Sequence, residues 1–165
     1  MKFAHIPKPK SKMTYRPSSS RRDVNFLVEC YADWPSSDYG PMTPDRAFRN
    51  LRRWENRDGL DAAVFEVDGT PVGFMLWSQN FFVCKVYDMV VHPNERGKGY
   101  STDMTNLFRQ KMRDEAVVAA EFDALPDNRI ANKVKAGRFK KTGEKVGEQT
   151  GLPLVGARVT TEDDL

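Results

Sequence analysis

Histidine and cysteine are nearly absent from this chain, which carries two of each among its 165 residues. With only His5 and His92, a histidine-rich metal centre is not expected. Cys30 and Cys84 have no C-x-x-C neighbour and fall in a predicted helix and a predicted strand. They read as buried, reduced thiols, not as a disulfide framework. No apolar run approaches membrane-spanning length, and the N-terminus lacks the hydrophobic stretch of a secretory signal, so a cytoplasmic protein without membrane contact is expected. No internal repeat is visible. A net charge of +3 accommodates an anionic ligand but does not announce nucleic-acid binding.

What is present belongs to an ordinary globular protein, with 39% hydrophobic and 30% charged residues. The length fits one domain. Residues 1–12, with H-I-P-K-P-K-S-K, read as a flexible basic arm, leaving a single domain over 13–165. Met13 to Arg16 suits a first strand. A helix is expected from about Arg21 to Ala32, with Val24, Leu27, Val28 and Tyr31 as its apolar stripe. After a proline-bearing loop holding Trp34 and Tyr39, Thr43-Pro44 opens a second helix, whose buried face is expected to be Phe48, Leu51 and Trp54. Its outer face carries Arg46, Arg49, Arg52, Arg53 and Arg57. That face reads either as a solvated surface paired with Asp45 and Glu55, or as a surface for an anionic acceptor or partner. Asp68-Gly69 marks a hairpin between strands Ala62–Val67 and Val72–Trp77. A fourth strand covers Phe81–Val91, a fifth Val117–Asp123, and two more follow a short helix.

The stretch from Lys85 to Glu115 holds the most chemistry. An apolar strand ends at His92-Pro93, because proline has no N–H for the ladder. Then comes the loop R-G-K-G-Y-S and a helix with Met104, Leu107, Phe108 and Met112 on one stripe. Ser101, Thr102 and Asp103 are good first-turn residues. Unpaired N–H groups of the loop and the helix start, with the macrodipole behind them, form an anion site suited to a phosphate. No glycine precedes Gly97 at P-loop distance, and Thr102 stands where a dinucleotide fingerprint needs its third glycine. What fits is R-x-x-G-x-[G/A], met by Arg96 and Gly99, with Ser101 as the departure.

With the preceding V-V-H-P, this loop resembles the acetyl-coenzyme A loop of the GNAT family of N-acyltransferases. The element order β-α-α-β-β-β-α-β-α-β-β agrees with that family. The resemblance implies an α/β (layered α+β) fold: a mixed, mostly antiparallel sheet of six to seven strands flanked by about four helices. It also implies acetyl transfer from coenzyme A to an amine by direct attack on the thioester. The N–H groups of Arg96, Gly97, Lys98, Gly99, Tyr100 and Ser101, with Thr102 next to them, would take the pyrophosphate. The backbone of Met89, Val90 and Val91 would pair with the pantetheine arm and supply an oxyanion donor, and Asn128 would add a contact.

An acceptor amine must lose a proton before it attacks, so a carboxylate is wanted near the thioester. Asp88, Glu121 and Asp123 are the candidates on the two strands that the family splays apart, Glu121 foremost, with Glu121 and Asp123 on one face of their strand. The tyrosine that often protonates the leaving thiolate in this family is missing, since Lys133 and Val134 occupy the matching positions. Tyr87, Tyr100 or water would then take its role. The acceptor, small molecule or protein, is not written in the sequence, nor is the choice between monomer and homodimer. The other reading is a silent GNAT-like module docking protein or nucleic acid through the basic arm and the arginine helix.

Overall fold

A computed structural model describes residues 12–32, 42–57, 59–124, 132, 134–146 and 153–160. The basic arm before Lys12, the loop with Trp34 and Tyr39, and Asn128 lie outside the described residues.

The hairpin signal at Asp68-Gly69 is realised as a turn with φ of 51° and 81° at its two central residues. That left-handed pair matches the right-handed twist of the strands it joins, β2 (Leu60–Val67) and β3 (Thr70–Asn80). β1 (Met13–Pro17) pairs antiparallel with β2, and β4 (Val83–Val91) pairs antiparallel with β3. β5 (Ala119–Ala124) runs parallel to β4. β6 (Lys140–Val146) and β7 (Pro153–Thr160) complete one seven-stranded sheet in the order β1-β2-β3-β4-β5-β7-β6. Among the described residues only the β4–β5 contact is parallel. The architecture is therefore the expected α/β, mostly antiparallel layered sheet.

Two helices cover one face. α1 (Val24–Cys30) is shorter than the expected Arg21–Ala32, because Ser19 to Asp23 form a turn instead. The Asp23 and Arg22 N–H groups both bond the Ser19 carbonyl, at 2.9 and 3.2 Å. Arg16 fixes that turn, donating to both Asp23 carboxylate oxygens at 2.8 and 2.9 Å and to Glu66 at 3.0 Å. α2 (Pro44–Asn56) begins as expected, with the Thr43 hydroxyl accepting from the Arg46 N–H at 3.2 Å. Its buried face is Ala47, Leu51 and Trp54; Phe48, expected inside, is 48% exposed. A small residue lets the helix axis approach the sheet, so Ala47 takes the central position and turns Phe48 outward. Leu27, Leu51, Trp54, Val64, Phe74, Leu76 and Val90 pack as the core of this layer.

On the opposite face lies α3 (Tyr100–Asp114), whose Met104, Phe108 and Met112 are buried while Leu107 is only partly so. They meet Phe65, Met75, Trp77, Val86 and Phe122, with Trp77 edge-on to Phe108 at 5.2 Å. α3 presses close at Gly73, where an added Cβ would lie 2.4 Å from the Met104 sulfur and 3.0 Å from the Val90 carbonyl. Three α-helices are described. Where the fourth was expected, a helical turn is recorded by the Ala136 N–H bonding the Asn132 carbonyl at 3.0 Å. No helix among the described residues is long and apolar enough to cross a membrane.

Candidate active site

The apolar positions of β4 change phase along the strand, and the sheet register shows why. Cys84 and Val86 face α3, but so do Met89 and Val91, three residues on from Val86. Leu76 pairs with Asp88 while Trp77 pairs with Val86, so Tyr87 is one residue too many: a β-bulge. The bulge turns the side chains of Tyr87 and Asp88 to the face away from α3. There the Ser78 hydroxyl meets the Tyr87 hydroxyl at 3.2 Å, and the Tyr31 hydroxyl donates to Asp88 at 2.7 Å.

The bulge also marks where β4 and β5 part. Their parallel ladder runs from Val83↔Ala119 to Val86↔Phe122 and ends, although β4 continues to Val91 and β5 to Ala124. β5 stays paired with β7 through Asp123 and Ala124. Beyond the bulge, β4 keeps its ladder to β3 through Val91↔Gly73, so among the described residues alternate backbone groups of residues 88–91 have no β5 ladder partner and border a wedge between the two strands.

The wedge leads to the glycine loop. A single 3₁₀ turn, Pro93–Glu95, follows β4, and Gly97 and Gly99 then adopt φ of 79° and 82°. That left-handed geometry favours glycine, which has no Cβ to clash. Gly99 is the N-cap residue of α3, so the first backbone N–H groups of the helix open directly from the loop. A Cβ at Gly97 or Gly99 would meet nothing within 4 Å, so the loop is open on its outer side. Lys98 is ion-paired with Glu95 at 2.8 Å, and the Arg96 Nε donates to the Val91 carbonyl at 3.2 Å. His92 accepts the Asn94 N–H through Nδ1 at 3.1 Å, which leaves its Nε2 proton for Glu29 of α1 at 2.8 Å. Tyr100, the first residue of α3, is half-buried against the core.

The three candidate carboxylates separate by partner. Glu121 is ion-paired with Arg158, whose Nε lies 3.2 Å away, and Asp123 is ion-paired with Lys85 at 2.8 Å. They share one face of β5, as alternation requires, and Glu121 borders a polar cleft of about 410 Å³ lined with it by Ser78, Asn80, Val83, Lys85 and Arg158. Asp88 instead faces the buried Tyr31 phenol. Burial, then the Asp88 charge, holds that phenol well above its ordinary 10.0, so it remains a protonated donor. Tyr87 is half exposed, and Val134 packs against the core, which suits an apolar residue at that position.

The fold places Tyr87, Asp88 and Met89–Val91 on the second half of β4 and Arg96–Thr102 on the loop and helix start that follow it, with Glu121 and Asp123 on β5. Sequence reasoning missed Tyr31, which was read only as part of an apolar stripe, although a buried tyrosine normally finds a partner for its hydroxyl. It also missed Lys85 and Arg158 as the cations opposite Asp123 and Glu121. The phase change between Val86 and Met89 was visible in the sequence and is the signature of the bulge. Among the described residues, no cluster of three or more metal-ligating side chains occurs.

Comparison with known proteins agrees with this geometry. A family model described as the acetyltransferase (GNAT) family matches residues 28–134. No curated protein sequence matches the chain. Among solved structures, a probable GNAT-family acetyltransferase of Chromobacterium violaceum superposes with a TM-score of 0.73 at 14% identity, over 96% of this chain and 94% of the other. YncA, a putative acetyltransferase of Salmonella typhimurium solved with acetyl-coenzyme A, gives 0.65 at 18% identity, over 92% and 95%. A variant of the spermidine N-acetyltransferase SpeG of Vibrio cholerae gives 0.72 at 13% identity, over 92% and 95%. These identities speak for the fold, and the family model covers well over half of the chain: with its split β4–β5 ladder and glycine loop, the chain belongs to the GNAT family of acetyltransferases.

Proposed function

We propose that this protein transfers an acetyl group from acetyl-coenzyme A to the primary amine of a small acceptor molecule. The observation that carries this reading is the β4–β5 ladder ending at Val86↔Phe122, which leaves a backbone edge leading to the N-terminus of α3. An extended amide-bearing arm pairs with such an edge, and a pyrophosphate suits the helix start. The left-handed Gly97 and Gly99, open on their outer side, and the small Ser101 and Thr102 fit that occupant. Asn128 is retained as a further contact from the expectation alone.

When bound, acetyl-coenzyme A supplies an activated acetyl group. In this reading the backbone N–H groups of residues 96–101, with Thr102, hold the pyrophosphate. Met89, Val90 and Val91 orient the pantetheine, and an N–H of Met89 or Val90 polarises the acetyl carbonyl. Asp88 takes the proton of the attacking amine, directly or through one water. It stands one residue before Met89, on the face away from α3, held by the Tyr31 hydroxyl. Acetyl-coenzyme A would give its acetyl group to the acceptor nitrogen and leave as the thiol, its sulfur taking a proton from Tyr87 or water. Spermidine, the substrate named for the SpeG relative, is a sensible first acceptor to test alongside other amines.

The test is thermal stability with acetyl-coenzyme A, followed by acetyl transfer to an amine panel. Ligand at about one hundred times its Kd stabilises by about 2.7 kcal/mol. No shift at millimolar cofactor overturns the proposal; a shift without turnover on any amine favours a silent binding module.

A further inference from the structure

The arginines of α2 have no role in acetyl transfer as proposed above, and the structure removes the simplest account of them. Were they a solvated face neutralised along the helix, Asp45 and Glu55 would pair with them. Glu55 instead accepts from the N–H and hydroxyl of Ser20 in the turn before α1. Among the described residues, Arg49, Arg52 and Arg57 form no ion pair, and Arg53 donates to the neutral Asn50 amide at 3.1 Å. Arg49–Arg53 and Arg49–Arg52 are spaced as like-charged helix neighbours, which costs helix stability. At Arg49, Arg52 and Arg53 this repulsion is met by no acid among the described residues, which makes the face complementary to an anion outside the molecule.

Three features say which anion. First, the basic residues between positions 13 and 84 are eight arginines and no lysine, although lysine supplies 12 of the 26 cations in the chain. The planar guanidinium grips a phosphate with two parallel hydrogen bonds, which an ammonium cannot do. Second, the exposed Phe48 stands one turn before Arg52 on the same side of the helix. An exposed ring flanked by guanidinium groups is a platform for an unstacked base. Third, Arg21 and Arg22 emerge exposed beside Ser20, which is tied to Glu55 in the last turn of α2, so the basic surface continues past the helix end.

We infer that the outer face of α2, built on Phe48, Arg49, Arg52 and Arg53 and continued by Arg21 and Arg22, docks single-stranded nucleic acid through its phosphates and one stacked base. The site is separate from the glycine loop, so it stands or falls independently of acetyl transfer.

The experiment uses the full chain and a fluorescein-labelled oligouridylate of about 20 nucleotides, enough for one such groove, read by anisotropy across a salt series. Binding is expected, with log K falling linearly against log salt. The triple variant Arg49→Gln/Arg52→Gln/Arg53→Gln should weaken it at least tenfold near physiological salt and flatten the slope by about two, at roughly 0.7 per lost phosphate contact. Phe48→Ala should weaken binding several-fold and leave the slope unchanged. Both variants must retain the wild-type melting transition, which surface changes that relieve repulsion or remove an exposed ring should allow. No binding by the wild type, equal binding by the triple variant, or equal competition by poly-glutamate or by a duplex of the same length would overturn the inference.

Discussion

The two walls of the wedge between β4 and β5 hold their carboxylates in opposite ways. On the β5 wall, Glu121 and Asp123 face cations, Arg158 and Lys85. On the β4 wall, Asp88 faces a phenol, the Tyr31 hydroxyl at 2.7 Å. A proton arriving at Glu121 or Asp123 breaks an ion pair. At Asp88 it meets a neutral donor that stays protonated, because burial and the Asp88 charge hold Tyr31 well above its ordinary 10.0. The β5 acids therefore tie β4, β5 and β7 together at the root of the wedge, and the proposal above gives proton transfer to the β4 acid. Residue type did not separate them; the bulge at Tyr87 did, by turning Asp88 toward α1.

The largest effect expected from this contrast is on turnover. Asp88→Asn should lower kcat by about 10²–10⁴, the usual contribution of a general base. Glu121→Gln and Asp123→Asn should stay within a few-fold of wild type in the same steady-state assay. A greater loss for Glu121→Gln than for Asp88→Asn would move the base to the β5 wall.

Next comes Tyr31→Phe, which leaves Asp88 without its phenol. Removing a buried hydrogen bond to a charged group should cost about 1.5–3 kcal/mol of stability in urea unfolding at neutral pH. The same variant has a signature at high pH. The folded-state value of Tyr31 is raised above its ordinary 10.0, so its contribution is complete below pH 10 and is lost as pH climbs beyond it. Cys84, pushed by burial from 9.0 to about 11, adds a loss that begins lower, between those two values. The urea midpoint of Tyr31→Phe should therefore fall less steeply above pH 10 than that of the wild type, with the Cys84 portion common to both. Identical slopes would mean that Tyr31 titrates like an exposed phenol and does not hold Asp88.

The position of the β4 wall depends on packing from the other side. At Gly73, paired with Val91, an added Cβ would strike the Met104 sulfur and crowd the Val90 carbonyl. Gly73→Ala should destabilise by about 1–3 kcal/mol, as overpacking does, and should weaken cofactor binding through the displaced strand. A silent Gly73→Ala would show that α3 can shift without disturbing the wedge.

What the sequence made legible was local. Asp68-Gly69, Thr43-Pro44 and the Arg96–Ser101 loop each carry their own backbone chemistry within a few residues, and each folded as read. What it hid was distant or a matter of fit. Tyr31 and Asp88 are 57 residues apart, Lys85 and Asp123 38, Glu121 and Arg158 37. Those pairs exist only because of sheet order and the one-residue slip at Tyr87, which no propensity encodes. Phe48 was expected inside with Leu51 and Trp54, whereas the buried stripe is the i, i+4, i+7 set that starts at Ala47. Asn128, expected at the cofactor, lies outside the described residues.

The smallest effect tests the β5 wall directly. Arg158 and Glu121 retain 42% and 31% of their side-chain exposure, so water screens much of their attraction. A double-mutant cycle of Arg158→Gln with Glu121→Gln should return a coupling of about 0.2–1 kcal/mol, the range of half-exposed pairs, shrinking as salt is raised. Acetyl transfer should change by no more than about twofold in either single variant, since no proton passes through this pair. A coupling well above 1 kcal/mol that persists at high salt, accompanied by a collapse in turnover, would place Glu121 in the reacting wall. The distinction between a structural β5 side and a chemical β4 side would then fail.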